Sequence, residues 1–160
     1  MSDANDFLKP DSGAVMKHID MYQGIINRMA GNSAECKKWA VTLVSAILVV
    51  VAKDGINQAA ILAGIPIILF CFLDTYYLAL EKQFRAAYNS FLNDLHNGVL
   101  TVDKLYKVIT NGKLPRTFLE ALLSLAVWPF YLGMLGLVAL AKWLADNGLL
   151  SGCGNLVGIN

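Results

Sequence analysis

The sequence predicts an all-α integral membrane protein, built from a helical hairpin of two spans, a third apolar membrane segment and helical cytoplasmic extensions. Hydrophobic residues make up 56% of the 160-residue chain and charged residues only 16%, against about 25% charged residues in an average soluble domain. The apolar residues are concentrated in three long stretches, and most basic residues lie outside them. The net charge of +1 gives no general attraction to nucleic acid.

The first predicted element is an amphipathic helix near the N-terminus. Its apolar residues recur at alternating steps of four and three, the spacing of a seam between helices; they are Val15, Ile19, Tyr22, Ile26 and Met29. Asp11 or Ser12 can cap its start, and Gly31 ends the run. We interpret the seam as packing against the same chain, with binding to the membrane surface or pairing between subunits as alternatives.

A new helix is predicted to begin at Asn32 and to enter the membrane. Asn32 and Glu35 have the spacing of a capping box, in which two side chains satisfy free N–H groups at a helix start. The helix then passes Lys37 and Lys38 and reaches an apolar stretch at Trp39, a residue type enriched at membrane interfaces.

Two apolar stretches predict the membrane hairpin. Residues 59–80 contain Asp74 as their one charged residue and reach the length of about 20 residues that a spanning helix needs. Residues 39–52 contain no charge but are shorter, since 14 residues rise only about 21 Å. We place the tight turn between them at Lys53, Asp54 and Gly55, with flanking lysines that snorkel to the interface.

The second span is predicted to continue as one helix beyond the membrane, because no Pro or Gly occurs from Leu69 to Asn97. Outside the bilayer it carries an apolar stripe at helical spacing, formed by Phe84, Tyr88, Phe91 and Leu95. Asn97 and Gly98 then close the helix.

The remainder of the chain is predicted to form a short helix and a third membrane segment. The short helix covers residues 101–109, with Thr101 or Asp103 as its cap. Residues 121–141 contain no ionisable residue and are long enough to span. Pro129 and two following glycines permit a bend, so a re-entrant or flat-lying segment and the side of the C-terminal tail stay open.

Basic residues predict the orientation. Five precede the first span and six lie within residues 81–116, which leaves Lys53 and Lys142 of the 13. Because basic loops stay in the cytoplasm, the N-terminus is predicted to be cytoplasmic. The predicted regions are an N-terminal amphipathic helix in residues 1–31, the hairpin in 32–80, a cytoplasmic helical region in 81–116, and the third segment with its tail in 117–160.

Asp74 is the first candidate functional residue. A carboxylate inside an apolar helix costs about 2.5–3.5 kcal/mol on insertion scales, so such residues are usually paired or functional. The structural interpretation is a salt bridge to Lys37, Lys38 or Arg28 that holds the hairpin in register. The functional interpretation is that Asp74 lies at a pore or its gate.

A cytoplasmic collar of basic and aromatic residues is the second candidate. Its members are Arg28, Lys37, Lys38, Lys82, Arg85, Tyr76 and Tyr77. Phosphates bind cations and bases stack on aromatic rings, so the collar suits an anionic nucleotide or oligonucleotide. Membrane topology and contact with anionic lipid produce the same charge pattern.

Other chemistry lacks support in the sequence. His18 and His96 have no carboxylate or cysteine at ligand spacing, and Cys36, Cys71 and Cys153 form no CxxC pair. Hydrolase, metalloprotease, P-loop and dinucleotide-binding motifs do not occur. We therefore predict no enzymatic activity, no cofactor and no metal site.

Two segments resemble a family of small bacterial membrane proteins. One is YQGIINRMA at residues 22–30, followed by Asn32-Ser33 and Lys37-Lys38-Trp39, where that family enters the first of two spans. The other is FLDTYYL at residues 72–78, at the exit from the second span. The similarity covers residues 22–85 and is to the two-span membrane effectors of antiphage systems, the SLATT-like group and its relatives, with the Hailong-type effector as the first comparison.

The resemblance and the charge placement together lead to one functional expectation. The chain would be a homo-oligomer such as a tetramer in the bacterial inner (cell) membrane, forming an ion-conducting pore that an anionic nucleotide or single-stranded DNA gates and that depolarises the membrane. The resemblance implies a nucleotidyltransferase partner that makes the signal, and membrane lipids are the other partner. The alternatives are a membrane anchor or assembly protein that recruits a partner through its cytoplasmic helices, and a holin-like lesion former.

Overall fold

The computed structural model describes residues 9–54, 61–110 and 112–147. The regular structure of these residues is helical, which confirms the all-α class. The helices are α1 (Gly13–Asp54), α2 (Gly64–His96), α3 (Leu114–Leu122) and α4 (Trp128–Asp146), with a 3-10 turn at Val102–Lys104 between α2 and α3.

The chain divides into two compact units. Unit 1 combines Met1–Asn32 with Tyr76–Glu120, and unit 2 combines Ser33–Thr75 with Ala121–Asn160. The junctions fall within five residues of the region boundaries predicted at residues 31, 80 and 116. Unit 1 therefore gathers the regions predicted to be cytoplasmic, and unit 2 gathers those predicted to lie in the membrane. The membrane assignment itself stays a prediction.

Helix α1 is longer than predicted. It starts after Ser12, whose hydroxyl oxygen accepts a hydrogen bond from the backbone N–H of Val15 at 3.3 Å and so caps the helix. It then continues for 42 residues to Asp54. The predicted helix end at Gly31 and the predicted new start at Asn32 are therefore wrong.

A continuous buried face explains why α1 does not stop at Gly31. The face keeps steps of three and four across the predicted boundary; its members are Val15, His18, Tyr22, Ile26, Met29, Ser33, Cys36 and Ala40. Burial along this face outweighs the cost of about 1 kcal/mol for a glycine in a helix interior. Lys53 and Asp54, predicted to lie in a turn, are also helical, and Gly55 lies outside the described residues.

In unit 1, α1 and α2 pack antiparallel around an aromatic core. The Tyr22 ring lies 5.8 Å from that of Tyr88 and 6.0 Å from that of Phe91, and the His18 ring lies 4.5 Å from that of Phe91. Leu95 is buried in the same cluster. The N-terminal seam therefore packs against the same chain, as interpreted from the sequence, and its partner is the apolar stripe of α2.

The end of α2 was predicted correctly, but the segment after it was not. Gly98 adopts a positive φ of 67° directly after the helix, as a C-terminal cap requires. The predicted helix over residues 101–109 is only a 3-10 turn, Val102–Lys104. Leu100 and Leu105 both enter the core of unit 1, and a helix would place side chains five residues apart on faces separated by about 140°.

The third apolar stretch is not one helix. Helix α3 ends at Leu122, a non-helical turn covers residues 123–127, and α4 begins at Trp128. Pro129 is the second residue of α4, where its missing N–H leaves no helical hydrogen bond unmade. The bend therefore lies before Pro129, while Gly133 and Gly136 sit inside a regular helix.

Two helices in the described residues are long and apolar enough to cross a membrane. One is Ile61–His96, which contains α2, and the other is Trp128–Asp146, which is α4. Only 22% and 11% of their most apolar 18-residue portions are buried. The core helix of a soluble protein would be mostly buried, so these two helices differ from that type. The predicted first span, residues 39–52, lies within α1 and is not one of the two.

Candidate functional site

Asp74 lies on α2 within unit 2, and its side chain is completely buried. The Ser33 hydroxyl donates a hydrogen bond to its Oδ1. The Lys37 Nζ lies 2.6 Å from its Oδ2, an ion pair whose angle falls outside hydrogen-bond geometry. Lys37 Nζ also donates to Ser33 Oγ at 3.3 Å. The three side chains form one closed polar cluster, which we call the Asp74 cluster.

The geometry of α1 explains why Lys37 is the partner. Ser33 and Lys37 are four residues apart and therefore occupy the same face of a helix. Lys38 is rotated away by about 100° and instead pairs with Glu35 at 2.5 Å on the exposed side. The structure confirms the predicted salt bridge of Asp74 and selects Lys37 among the three proposed partners. A role of Asp74 at a pore or gate stays a prediction.

Burial makes this ion pair energetically important. Removing one member of a buried pair leaves an uncompensated charge and costs about 3–5 kcal/mol, whereas replacing both members together is often neutral. The Lys37 side chain is 25% exposed and that of Asp74 is 0% exposed. The Lys37 ammonium is therefore accessible to solvent, whereas the buried Asp74 carboxylate depends on that ammonium to compensate its charge.

Further polar contacts within unit 2 surround the cluster. The Thr75 hydroxyl donates to the carbonyl oxygen of Cys71 at 2.7 Å. The Tyr131 hydroxyl of α4 donates to the carbonyl oxygen of Phe70 at 3.1 Å, which ties α4 to α2. Such bonds hold helices together where the surroundings offer no water.

Most cations of the predicted collar already have intramolecular partners. Arg85 Nε lies 2.7 Å from Glu81 Oε1, and Lys82 Nζ donates to the backbone oxygen of Glu120 at 3.3 Å. Arg28 is exposed on α1. Partnered cations attract phosphate less strongly, so the collar carries less free charge than the sequence suggests.

The seven predicted collar residues are divided between the units. Arg28, Tyr76, Tyr77, Lys82 and Arg85 belong to unit 1, while Lys37 and Lys38 belong to unit 2. The rings of Tyr76 and Tyr77 contact each other edge to face, with centroids 5.8 Å apart. The structure therefore describes the collar as two separate sets of residues.

Within unit 1, Arg85 lines a cavity of about 290 Å³. The other lining residues are Gln23, Ile26, Asn27, Tyr88 and Asn89. Amide groups, a phenol and a guanidinium offer several hydrogen-bond donors and one positive charge to a small ligand. Arg85 is thus a predicted anion-binding residue that lines a cavity, although its guanidinium is already paired with Glu81.

His18 is a buried residue whose importance sequence reasoning missed. It is 0% exposed, and its Nδ1 accepts a hydrogen bond from the backbone N–H of Tyr106 at 3.0 Å. Burial lowers the pKa of His18, in agreement with a neutral ring that accepts at Nδ1. Its Nε2 is buried without a hydrogen-bond partner in the described residues. The available signal was its position in the buried stripe, between Val15 and Tyr22.

A second cavity of unit 1, of about 390 Å³, lies beside His18. Its charged lining residues are Asp94, Asp103, Lys104 and Lys107. Lys104 Nζ lies 2.8 Å from Asp94 Oδ2, and this contact raises the pKa of Lys104. The hydroxyl of Thr101 lowers the pKa of Asp103. With two acids and two bases the lining has no net charge, which does not favour an anion.

Comparison with protein-family models, with curated proteins and with solved structures gives no match. Function is therefore inferred from the residues and their geometry.

Proposed function

We propose that this chain is an integral membrane protein in which residues 39–52 of α1, the first part of α2 and helix α4 cross the bilayer. The observation that carries the proposal is the outward-facing apolar surface of these helices. Ile68 on α2 is 70% exposed, and Leu137 on α4 is 61% exposed. A soluble protein rarely presents long apolar surfaces to water, whereas hydrocarbon accepts them.

Membrane insertion is tested by fractionating cells that produce the chain. An inserted protein stays in the membrane pellet after alkaline carbonate washing and is released by detergent. Release by carbonate alone, or recovery in the soluble fraction, would overturn the proposal. Labelling of single cysteines placed at Lys38 and Lys113 in a cysteine-free background tests the orientation, since both positions are expected on the cytoplasmic side.

For its activity, we propose a homo-oligomeric pore in the bacterial cell membrane that conducts ions under the control of an anionic nucleotide or oligonucleotide. The pore would depolarise the membrane as an antiphage effector, with the N-terminus in the cytoplasm. The proposal is supported by the Asp74 cluster, since ionisable groups among apolar helices are usually functional. The Arg85 cavity and the resemblance of residues 22–85 support the ligand class.

The activity is tested with purified protein in liposomes loaded with potassium. Efflux is followed with and without AMP or a short single-stranded DNA oligonucleotide outside the vesicles. We expect efflux that one of these anions changes. Vesicles that hold the inserted protein and stay sealed under every condition would overturn the pore while leaving membrane insertion intact.

The recruitment alternative is less well supported than it was from sequence. It requires the cytoplasmic apolar stripes to be available to a partner protein. Tyr22, Phe91 and Leu95 are instead buried against each other in unit 1. A partner that used these side chains would have to open the core of the unit.

A further inference from the structure

We propose that the Lys37–Asp74 ion pair is a latch, and that an anionic signal acts by drawing the Lys37 ammonium away from the Asp74 carboxylate. This inference rests on the proposed pore function and names the regulation of the same site. According to this proposal, the pore is closed while Lys37 and Asp74 are paired and conducts ions when they are separated.

The first step of the argument is that one residue belongs to both candidate sites. Lys37 was predicted to hold the anionic signal, and Asp74 was predicted to lie at the gate. The two charges are 2.6 Å apart within unit 2. An anion that binds the ammonium therefore competes with the carboxylate for the same positive charge.

The second step is the unequal exposure of the two partners. The Lys37 side chain is 25% exposed, so an anion outside the cluster can reach it, while Asp74 is fully buried. In the paired state the carboxylate contacts neither water nor a passing cation. The paired state therefore cannot use Asp74 to attract ions, which is why we assign it as closed.

The third step is what separation does to Asp74. Without the ammonium, the carboxylate keeps the neutral Ser33 hydroxyl as a hydrogen-bond donor but loses its paired positive charge. A buried charge with so little compensation draws in water or cations, or moves toward them. Separation of the two charges thus links anion binding at Lys37 on α1 to hydration of Asp74 on α2.

Potassium efflux from liposomes tests the latch without knowledge of the natural ligand. Lys37→Gln removes the ammonium and mimics the separated state, so resting efflux is expected to rise by about tenfold or more. The matched control is Arg116→Gln, which removes a cation outside the collar together with its exposed pair with Glu120 and should leave efflux unchanged. Lys37→Gln combined with Asp74→Asn removes both charges and should return efflux to the low resting level.

The outcomes separate the latch from the pore. Equal resting efflux in the wild type, Lys37→Gln and Arg116→Gln, with conduction present, overturns the latch and leaves the pore standing. No efflux from any variant with AMP, inorganic phosphate or a short single-stranded DNA overturns the pore, and the latch with it. If Lys37→Gln does not assemble, as judged by gel filtration in detergent, Lys37→Asp with Asp74→Lys decides. In this double variant, low resting efflux that no added anion changes supports the latch. Efflux that responds to anions as it does in the wild type overturns the latch.

Discussion

The two units differ in how many of their large hydrophobic side chains are exposed. Of the 25 large hydrophobic side chains that are exposed in the described residues, 19 belong to unit 2. Unit 1 buries bulky side chains such as Tyr22, Phe91 and Leu95. Unit 2 buries the polar residues Ser33, Asp74 and Thr75, small residues such as Ala40 and Ala121, and a few larger side chains; the last include Ile67, Tyr131 and Met134.

The difference is the one expected if unit 2 lies in the membrane, as we propose, while unit 1 lies in water. In water, bulky apolar side chains are driven into a core, as in unit 1. In hydrocarbon that driving force between helices is absent, and association depends on close packing of small residues and on hydrogen bonds. Unit 2 has both features, and 19 of its large hydrophobic side chains are exposed.

The largest expected effect compares two phenylalanines of the same helix. Phe91→Ala empties a site in the unit 1 core and should lower the free energy of unfolding by about 3–5 kcal/mol. Phe72→Ala, in unit 2 and 58% exposed, should change it by less than about 0.5 kcal/mol in detergent. Thermal unfolding of the detergent-solubilised protein, followed by circular dichroism, measures both. Equal losses would remove the contrast between the units.

The next effect compares two exposed isoleucines. Ile68 in unit 2 is 70% exposed and Ile109 in unit 1 is 63% exposed. Ile68→Lys places a charge in the predicted span and should cost about 2.5–3.5 kcal/mol of insertion free energy, which lowers the membrane-bound fraction. Ile109→Lys should leave that fraction unchanged. If both variants partition as the wild type does, unit 2 does not face lipid.

A smaller effect concerns the pH dependence of unit 1. The folded pKa of His18 is lowered from 6.5 by burial, so the unfolded chain takes up a proton first as the pH falls. Stability should be constant above about pH 7 and should decrease toward about pH 5.5. Unfolding midpoints in urea at both pH values measure the decrease.

Histidine variants show whether the pH dependence comes from His18. His18→Gln should flatten it, whereas His96→Gln, which changes the other, exposed histidine, should leave it in place. A pH dependence that persists in His18→Gln and disappears in His96→Gln would contradict the assignment.

The smallest effect tests the continuity of α1 in unit 1. Gly31 lies inside the helix with no atom within 4 Å of an added Cβ, so Gly31→Ala should stabilise the protein by about 0.5–1 kcal/mol. Gly98 has a φ of 67°, and Gly98→Ala should destabilise it by about 1–2 kcal/mol. A loss of stability in Gly31→Ala would restore the helix end that the sequence suggested.

Local patterns in the sequence were sufficient to predict several structural elements. The stripe from Val15 to Met29, the uninterrupted helix through α2 and its end at Asn97 and Gly98 depend on residue spacing and on backbone conformation. These properties are local, so they can be recognised in the amino-acid sequence without the tertiary structure. The same applies to the polar residue Asp74 inside an apolar helix, which stood out without any structure.

Tertiary structure alone decided the rest. Gly31 and Asn32 carry strong local signals for a helix end, but the buried face through Ser33 continues across them because α1 packs along its length. Asp74 pairs with Lys37 because Lys37 lies on the face of α1 that meets α2. The burial of His18 depended in the same way on a backbone N–H 88 positions further along the chain. Local propensity is worth about 1 kcal/mol per residue, so packing of whole helix faces overrides it.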